Sequence, residues 1–253
     1  MALVWLMVAG LSADSVEAAG LRGYFRHPSV HDQTVVFTAE GDLWTVSLAG
    51  GRAARLTTHL AQETYPRISP DGRMVAFSAA YEGAREIYVM PLAGGRPRRL
   101  TFDGESSRVV GWAPDGRVAY ATRHYSTLPN TQMVLVHPET LDIERVPLEQ
   151  ASQAAWGADG KTLFFTRLSK QGSSTKRYKG GTAETLWRFG PKTSEAIPLT
   201  ANYTGTSRDP MVWNGRLYFA SDRDGTMNLW AVSYTHLRAH ETDSYLVCRL
   251  LLE

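Results

Sequence analysis

The chain has 253 residues, 43% of them hydrophobic and 21% charged, a balance that suits a packed globular fold and excludes a disordered or fibrous one. With 27 basic against 25 acidic residues the formal net charge is +2, so no global field is available to hold nucleic acid or an anionic lipid surface. A single cysteine, Cys248, excludes an internal disulfide framework and any paired-cysteine site for zinc or an iron–sulfur cluster.

Residues 1–19 differ from everything after them. The apolar run ALVWLMVAGL at 2–11 is shorter than the roughly 20 residues a membrane span needs, and Val16-Glu17-Ala18-Ala19 offers a small-residue cleavage site. No Lys or Arg precedes the run, so the terminal amine is its only leading charge. Residues 1–19 are therefore read as a signal peptide or hydrophobic N-terminal extension. A periplasmic or secreted protein is the expectation, with a cytoplasmic one as the alternative. No later segment is long and apolar enough for a transmembrane helix, so no membrane span is expected.

From residue 20 to 232 the sequence repeats. ISPDGRMVAFSA at 68–79, WAPDGRVAYAT at 112–122 and WGADGKTLFFT at 156–166 are versions of one phrase, with their glycines at 72, 116 and 160. Both intervals are 44 residues, the period of a propeller blade. WNGRLYFAS at 213–221 is a fourth copy, delayed by an insertion, and HDQTVVFTA at 31–39 is a first copy without glycine. The second half of the unit repeats as well, GDLWTVSLAGGRAARLT at 41–57 answering REIYVMPLAGGRPRRLT at 85–101.

Each unit thus holds two hairpins. Asp-Gly or Asn-Gly supplies one tight turn and Ala-Gly-Gly the other, because glycine accepts the positive φ that hairpin turns require. Alternation in MVAFSA, TLFFTR and RLYFAS fits short half-buried strands. The predicted fold is all-β, a β-propeller of four-stranded antiparallel blades. Its blades fall at about 24–62, 63–104, 105–150, 151–202 and 203–232. That is about five blades, which would leave the propeller incomplete.

From about Ser233 the pattern stops. SYTHLRAHET followed by DSYLVCRLLLE resembles a translated sequencing-adapter read-through, so 233–253 is expected to be a non-native tail. His236, His240 and Cys248 have a metal-like spacing within it, but no motif places a fourth ligand, and no metal site is assigned.

The blade phrases resemble the N-terminal six-bladed propeller of tricorn-type serine peptidases from Gly23 to Val232. GYFRHPSVHDQTVVFTAEGDLWTVSLAGG at 23–51, SSTKRYKGGTAETLW at 173–187 and SDRDGTMNLW at 221–230 carry the resemblance. It implies a parent enzyme that hydrolyses peptides in a homo-oligomeric assembly, with this propeller as a substrate gate or sieve and the catalytic residues on domains beyond this chain. Two other readings keep the propeller: a TolB-like periplasmic protein-binding module, and the propeller of a prolyl-oligopeptidase-type enzyme.

No catalytic residue is assigned within the chain, and no cofactor. No Gly-x-Ser-x-Gly elbow occurs, and Ser69, Ser78 and His124 read as turn, strand and loop residues. The insertion at 168–183 is the most basic stretch, with Lys170, Lys176, Arg177 and Lys179 and no acidic residue. Lys176, Arg177 and Lys179 are its candidates for contacting a peptide or another subunit. Arg52, Arg55, Arg96, Arg98 and Arg99 recur at one blade position and read as structural or solvating. Trp44, Trp112, Trp156, Trp187, Trp213 and Trp230 are read as packing between blades. Asp222-Arg223-Asp224-Gly225 is read as a turn with a surface ion pair.

Overall fold

A computed structural model describes residues 23–170, 178–191 and 195–233, together with the backbone of 248–249. The N-terminal segment 1–19, Lys176, Arg177 and most of the tail lie outside the described residues.

The chain forms five four-stranded antiparallel sheets, each built from strands consecutive in sequence. The first holds β1 (Arg26–His31), β2 (Thr34–Ala39), β3 (Asp42–Ser47) and β4 (Ala54–Arg55). The second holds β5 (Glu63–Ile68), β6 (Met74–Ala79), β7 (Glu86–Pro91) and β8 (Arg98–Arg99). The third holds β9 (Arg108–Trp112), β10 (Val118–Thr122), β11 (Gln132–Val136) and β12 (Ile143–Arg145). The fourth holds β13 (Gln153–Trp156), β14 (Leu163–Thr166), β15 (Leu186–Phe189) and β16 (Ile197–Pro198). The fifth holds β17 (Ser207–Trp213), β18 (Arg216–Ser221), β19 (Asn228–Ser233) and β20 (Cys248–Arg249). The last strand pairs through backbone at Trp230↔Arg249 and Ala231↔Cys248. A backbone ladder accepts any non-proline sequence, so this pairing carries no information on where 233–253 comes from.

The turns follow from the repeated phrase. In the β5–β6 hairpin Gly72 sits at φ +71°, and in β9–β10 Gly116 sits at +86°. The aspartate before each glycine accepts the N–H two residues on, Arg73 at 3.1 Å and Arg117 at 3.2 Å, which pins the turn. Ser69 joins the first of these, its hydroxyl donating to Asp71 and accepting from Met74 N.

The strands are buried more deeply than their alternation suggests. β6 and β10 are buried along both faces, because the second and third blades are each sandwiched between two others. In β6, Val75, Phe77 and Ala79 face the first blade while Ala76 faces the third. In β10, Val118 and Tyr120 face the second and Ala119 and Ala121 the fourth. Each consecutive pair of blades thus shares one apolar core, and four such cores hold the five sheets together. Burying a side chain such as Phe77 contributes roughly 2–3 kcal/mol.

The tryptophans divide. Trp44, Trp112 and Trp230 are half-buried and each donates its indole N–H to a backbone carbonyl, of Ala39, Arg67 and Ser221. Trp213 does not pack between blades. It is 70% exposed, because it ends β17 beside the Asn214-Gly215 turn, with the Tyr218 ring centroid 6.3 Å away.

The Leu-Thr pair that ends the repeated second half has a definite task. Leu56 and Leu100 donate their N–H to the carbonyls of Leu43 and Ile87. The neighbouring Thr57 and Thr101 hydroxyls accept the N–H of the same two residues at 2.9 and 3.0 Å. Thr200 repeats the arrangement with Leu186 at 3.1 Å. The recurring arginines then pair with buried acids: Arg55 with Asp42, and Arg99 with Glu86 at 3.0 Å. Residues 222–225 form a turn, with Gly225 N–H donating to the Asp222 carbonyl at 2.9 Å. Asp222 is buried and accepts from Tyr203 Oη and Thr206 N at 2.9 Å, while Arg223 lies over the rings of Tyr203, Phe219 and Trp230.

Candidate functional site at the inner wall

The first strand of each sheet meets the first strand of the next, so β1, β5, β9, β13 and β17 form the inner wall of the propeller. Four of the five are bulged. The register slips between Arg26 and Ser29, between Thr64 and Arg67, at Val110, and between Arg208 and Met211. Three of these slips contain a residue at positive φ followed by proline: His27-Pro28, Tyr65-Pro66 and Asp209-Pro210, at +52°, +56° and +53°. Proline brings no N–H, so the unpaired bulge residue orphans one donor fewer, and the kink re-aims the side chains beside it. A bulged, strained backbone repeated at one level of the wall marks that level for a task other than packing.

Polar side chains at this level stitch neighbouring blades. Ile68 N–H donates to Ser29 Oγ at 3.0 Å, joining the second blade to the first. Arg67 Nε donates to the Val110 carbonyl at 3.0 Å, and Trp112 Nε1 returns to the Arg67 carbonyl at 2.8 Å. Arg108 donates to the Ser152 carbonyl at 2.8 Å and to its hydroxyl at 2.9 Å. His27 and Tyr65 rings lie 3.9 Å apart at their centroids, with the Arg108 guanidinium 5.2 Å over the same tyrosine.

A cavity of about 450 Å³ opens onto this level. Arg26 and His27 line it from β1, Thr64 and Tyr65 from β5, Arg85 from just before β7, and Lys170 from beyond β14. Arg67, Arg108 and Arg208 lie behind or beside it on the wall, and the acids at this level that feel their charge are Glu184 and Asp209. The local field is therefore positive in a chain whose global charge is nearly balanced.

Two groups record that field. Burial, reinforced by Arg26, Arg67, Arg108 and Lys170, lowers His27 to about 4, so its ring is neutral at neutral pH. Burial raises Glu184 to about 7, with Arg208, Lys170 and Arg108 pulling the other way. Its nearest cation, Arg208, is 3.8 Å away, and Oε1 has no hydrogen-bond partner. Burial also pulls Arg67 and Arg108 down from the usual arginine range.

Lys179 is exposed on the far side of the undescribed 171–177 stretch. Ser69 and Ser78 are not brought together with His124: Ser69 holds a turn, Ser78 Oγ accepts Val109 N–H at 2.8 Å between blades, and His124 sits in the loop after β10. The described residues contain no cluster of three or more His, Cys, Asp or Glu able to hold a metal. The sequence reading missed Arg26 and Arg85, each of which sits in a different phrase. The available signal was the Arg beside an X-Pro pair, in Arg26-His27-Pro28, Pro66-Arg67 and Arg208-Asp209-Pro210.

Four-stranded sheets in chain order around a bulged, cationic inner wall define the class: a β-propeller domain whose polar chemistry is gathered at its axis. The description "Tricorn protease N-terminal beta propeller domain" matches residues 22–245, and the chain belongs to that family. It is 34% identical over 210 residues to Tricorn protease homolog 1 of Streptomyces coelicolor, covering 82% of this chain and 20% of the relative. It is 30% identical over 237 residues to the tricorn protease homolog of Saccharolobus solfataricus, covering 90% and 22%. The chain thus spans about a fifth of the length of these relatives. Among solved structures, that of the tricorn protease superposes at a TM-score of 0.73 with 22% identity, covering 90% of this chain and 22% of the other. TolB from Acinetobacter baumannii superposes at 0.65 with 18% identity, covering 84% and 52%. Identities at this level show the shared fold alone.

Proposed function

We propose that this chain serves a tricorn-type peptidase as a gate or sieve, its inner wall receiving extended peptides that are hydrolysed on domains outside the chain. The observation that supports this reading is the charge on the wall. Arg26, Arg67, Arg85, Arg108, Lys170 and Arg208 come from every one of the five blades, and among the described residues the acids coupled to them at this level are Glu184 and Asp209. Such a wall attracts the carboxylates of a peptide, and its width, set by rigid strands, selects by size without chemistry. Lys176, Arg177 and Lys179, basic residues of the insertion, are assigned to peptide or subunit contact. The parent acts as a homo-oligomer, and residues 1–19 direct it to the periplasm or outside the cell.

The test is fluorescence anisotropy of a labelled, extended acidic peptide titrated with the purified chain. Binding that weakens as salt rises, with the peptide left intact, supports the reading. Absence of binding at low salt, or cleavage abolished by a serine-directed inhibitor, overturns it.

A further inference from the structure

Arg26 Nε, Arg85 Nε and His27 Nδ1 are buried nitrogens without a hydrogen-bond partner. All three residues line the same cavity at the inner wall, which Lys170 also reaches. These nitrogens have almost no accessible surface of their own, so what they show is that no acceptor within the protein draws the Arg26, Arg85 and His27 side chains away from the cavity they line.

What acceptor belongs there follows from the wall. None of the residues lining the cavity is acidic, and its cations come from three different blades. Arg26 lies 5.3 Å over the Tyr24 ring, and the Arg85 backbone is fixed by its carbonyl, which accepts Ser107 N–H at 2.8 Å. Tyr65, clamped between His27 and Arg108, forms a rigid flank. The neutral His27 ring adds a donor without adding charge, its single proton free to sit on Nδ1.

We propose that this cavity is a binding site for a small, multiply charged oxyanion of the phosphate class. Donors converging from separate blades suit an acceptor whose oxygens point in several directions, and three cations exceed what one carboxylate would neutralise. Arginine forks match such oxygens, and fixed donors in a partly buried site lose little entropy on binding. The proposal is independent of the peptide-gate reading, since it needs neither a longer protein nor a peptide.

The test is isothermal titration of the purified chain with inorganic phosphate at constant ionic strength, made up with chloride. The expected result is saturable binding to one site, weakened about tenfold or more by Arg26→Gln and by Arg85→Gln, the loss of one charge-assisted hydrogen bond each. Lys161→Gln, on an exposed turn, leaves it unchanged. If a glutamine variant fails to fold, Arg26→Lys keeps the charge but removes the Nε donor, and weakened binding with an unchanged circular dichroism spectrum supports the site. No saturable binding above the chloride control, or equal weakening by Lys161→Gln, overturns the proposal. So does displacement of phosphate by an acetylated dipeptide with a free carboxylate at lower concentration, which would assign the cavity to a chain terminus.

Discussion

Gln153 in the fourth blade and Asp209 in the fifth, 56 residues apart, exchange two hydrogen bonds. Gln153 Nε2 donates to Asp209 Oδ1 at 2.5 Å, and Asp209 N–H donates to Gln153 Oε1 at 2.9 Å. The pair closes the interface with the smallest apolar core, formed by Phe164, Leu186, Leu217 and Phe219. Gln153→Met keeps the volume and removes both hydrogen bonds to Asp209. The loss should be about 1–3 kcal/mol in urea unfolding. A change within about 0.5 kcal/mol, the range of an ordinary surface substitution, would show that the clasp contributes nothing.

Thr101 tests the Leu-Thr ending. Thr101→Val preserves shape but leaves the buried Ile87 N–H without its 3.0 Å acceptor and deprives Glu86 of a donor. A destabilisation of about 1–3 kcal/mol is expected, and Thr101→Ser, which restores the hydroxyl, should recover most of it. Equal losses in both variants would place the effect in the methyl group.

Two turn glycines separate backbone strain from crowding. Gly41 at φ +91° has open space where a Cβ would go, whereas at Gly72 an added Cβ would sit 2.7 Å from the His31 ring, which is held by the Pro70 carbonyl at 3.0 Å. Gly41→Ala should cost about 1 kcal/mol and Gly72→Ala more, read as a larger fall in melting temperature.

Glu184 and His27 give opposite pH dependences. Between its ordinary 4.5 and its folded value of about 7, Glu184 holds a proton in the native state that the unfolded chain has released. Its stabilising contribution is therefore present at low pH and lost as pH rises through 7. His27, lowered from 6.5 to about 4, is protonated first in the unfolded chain, so stability is lost as pH falls through that window. Glu184→Gln should gain stability relative to the parent chain at about pH 8 compared with about pH 5, by chemical denaturation. A difference independent of pH would mean that Glu184 is ionised throughout.

The fold was legible because a repeated blade needs the same turn and the same strand pattern each time. Asp71-Gly72 and Asp115-Gly116 announce their hairpins from local chemistry alone. Burial was understated, since alternation in MVAFSA cannot say that its second face meets another blade. The axial cluster was not legible: Arg26, Arg85 and Lys170 are separated by up to 144 positions and have no common motif, and only the folded arrangement of three blades brings them to one cavity. Trp213 was misassigned for a related reason, as its phrase matches the other copies while its place at the end of β17 leaves it in solvent.

The inner wall as the surface that meets extended peptides is tested most directly by photo-crosslinking. Tyr24→p-benzoylphenylalanine places the reactive group at the cavity mouth, and Ile143→p-benzoylphenylalanine places it on β12, the outermost strand of the third blade. Irradiation with an extended peptide should yield a covalent adduct from position 24 and none from position 143. Adducts from position 143 alone, or equally from both, would contradict the account.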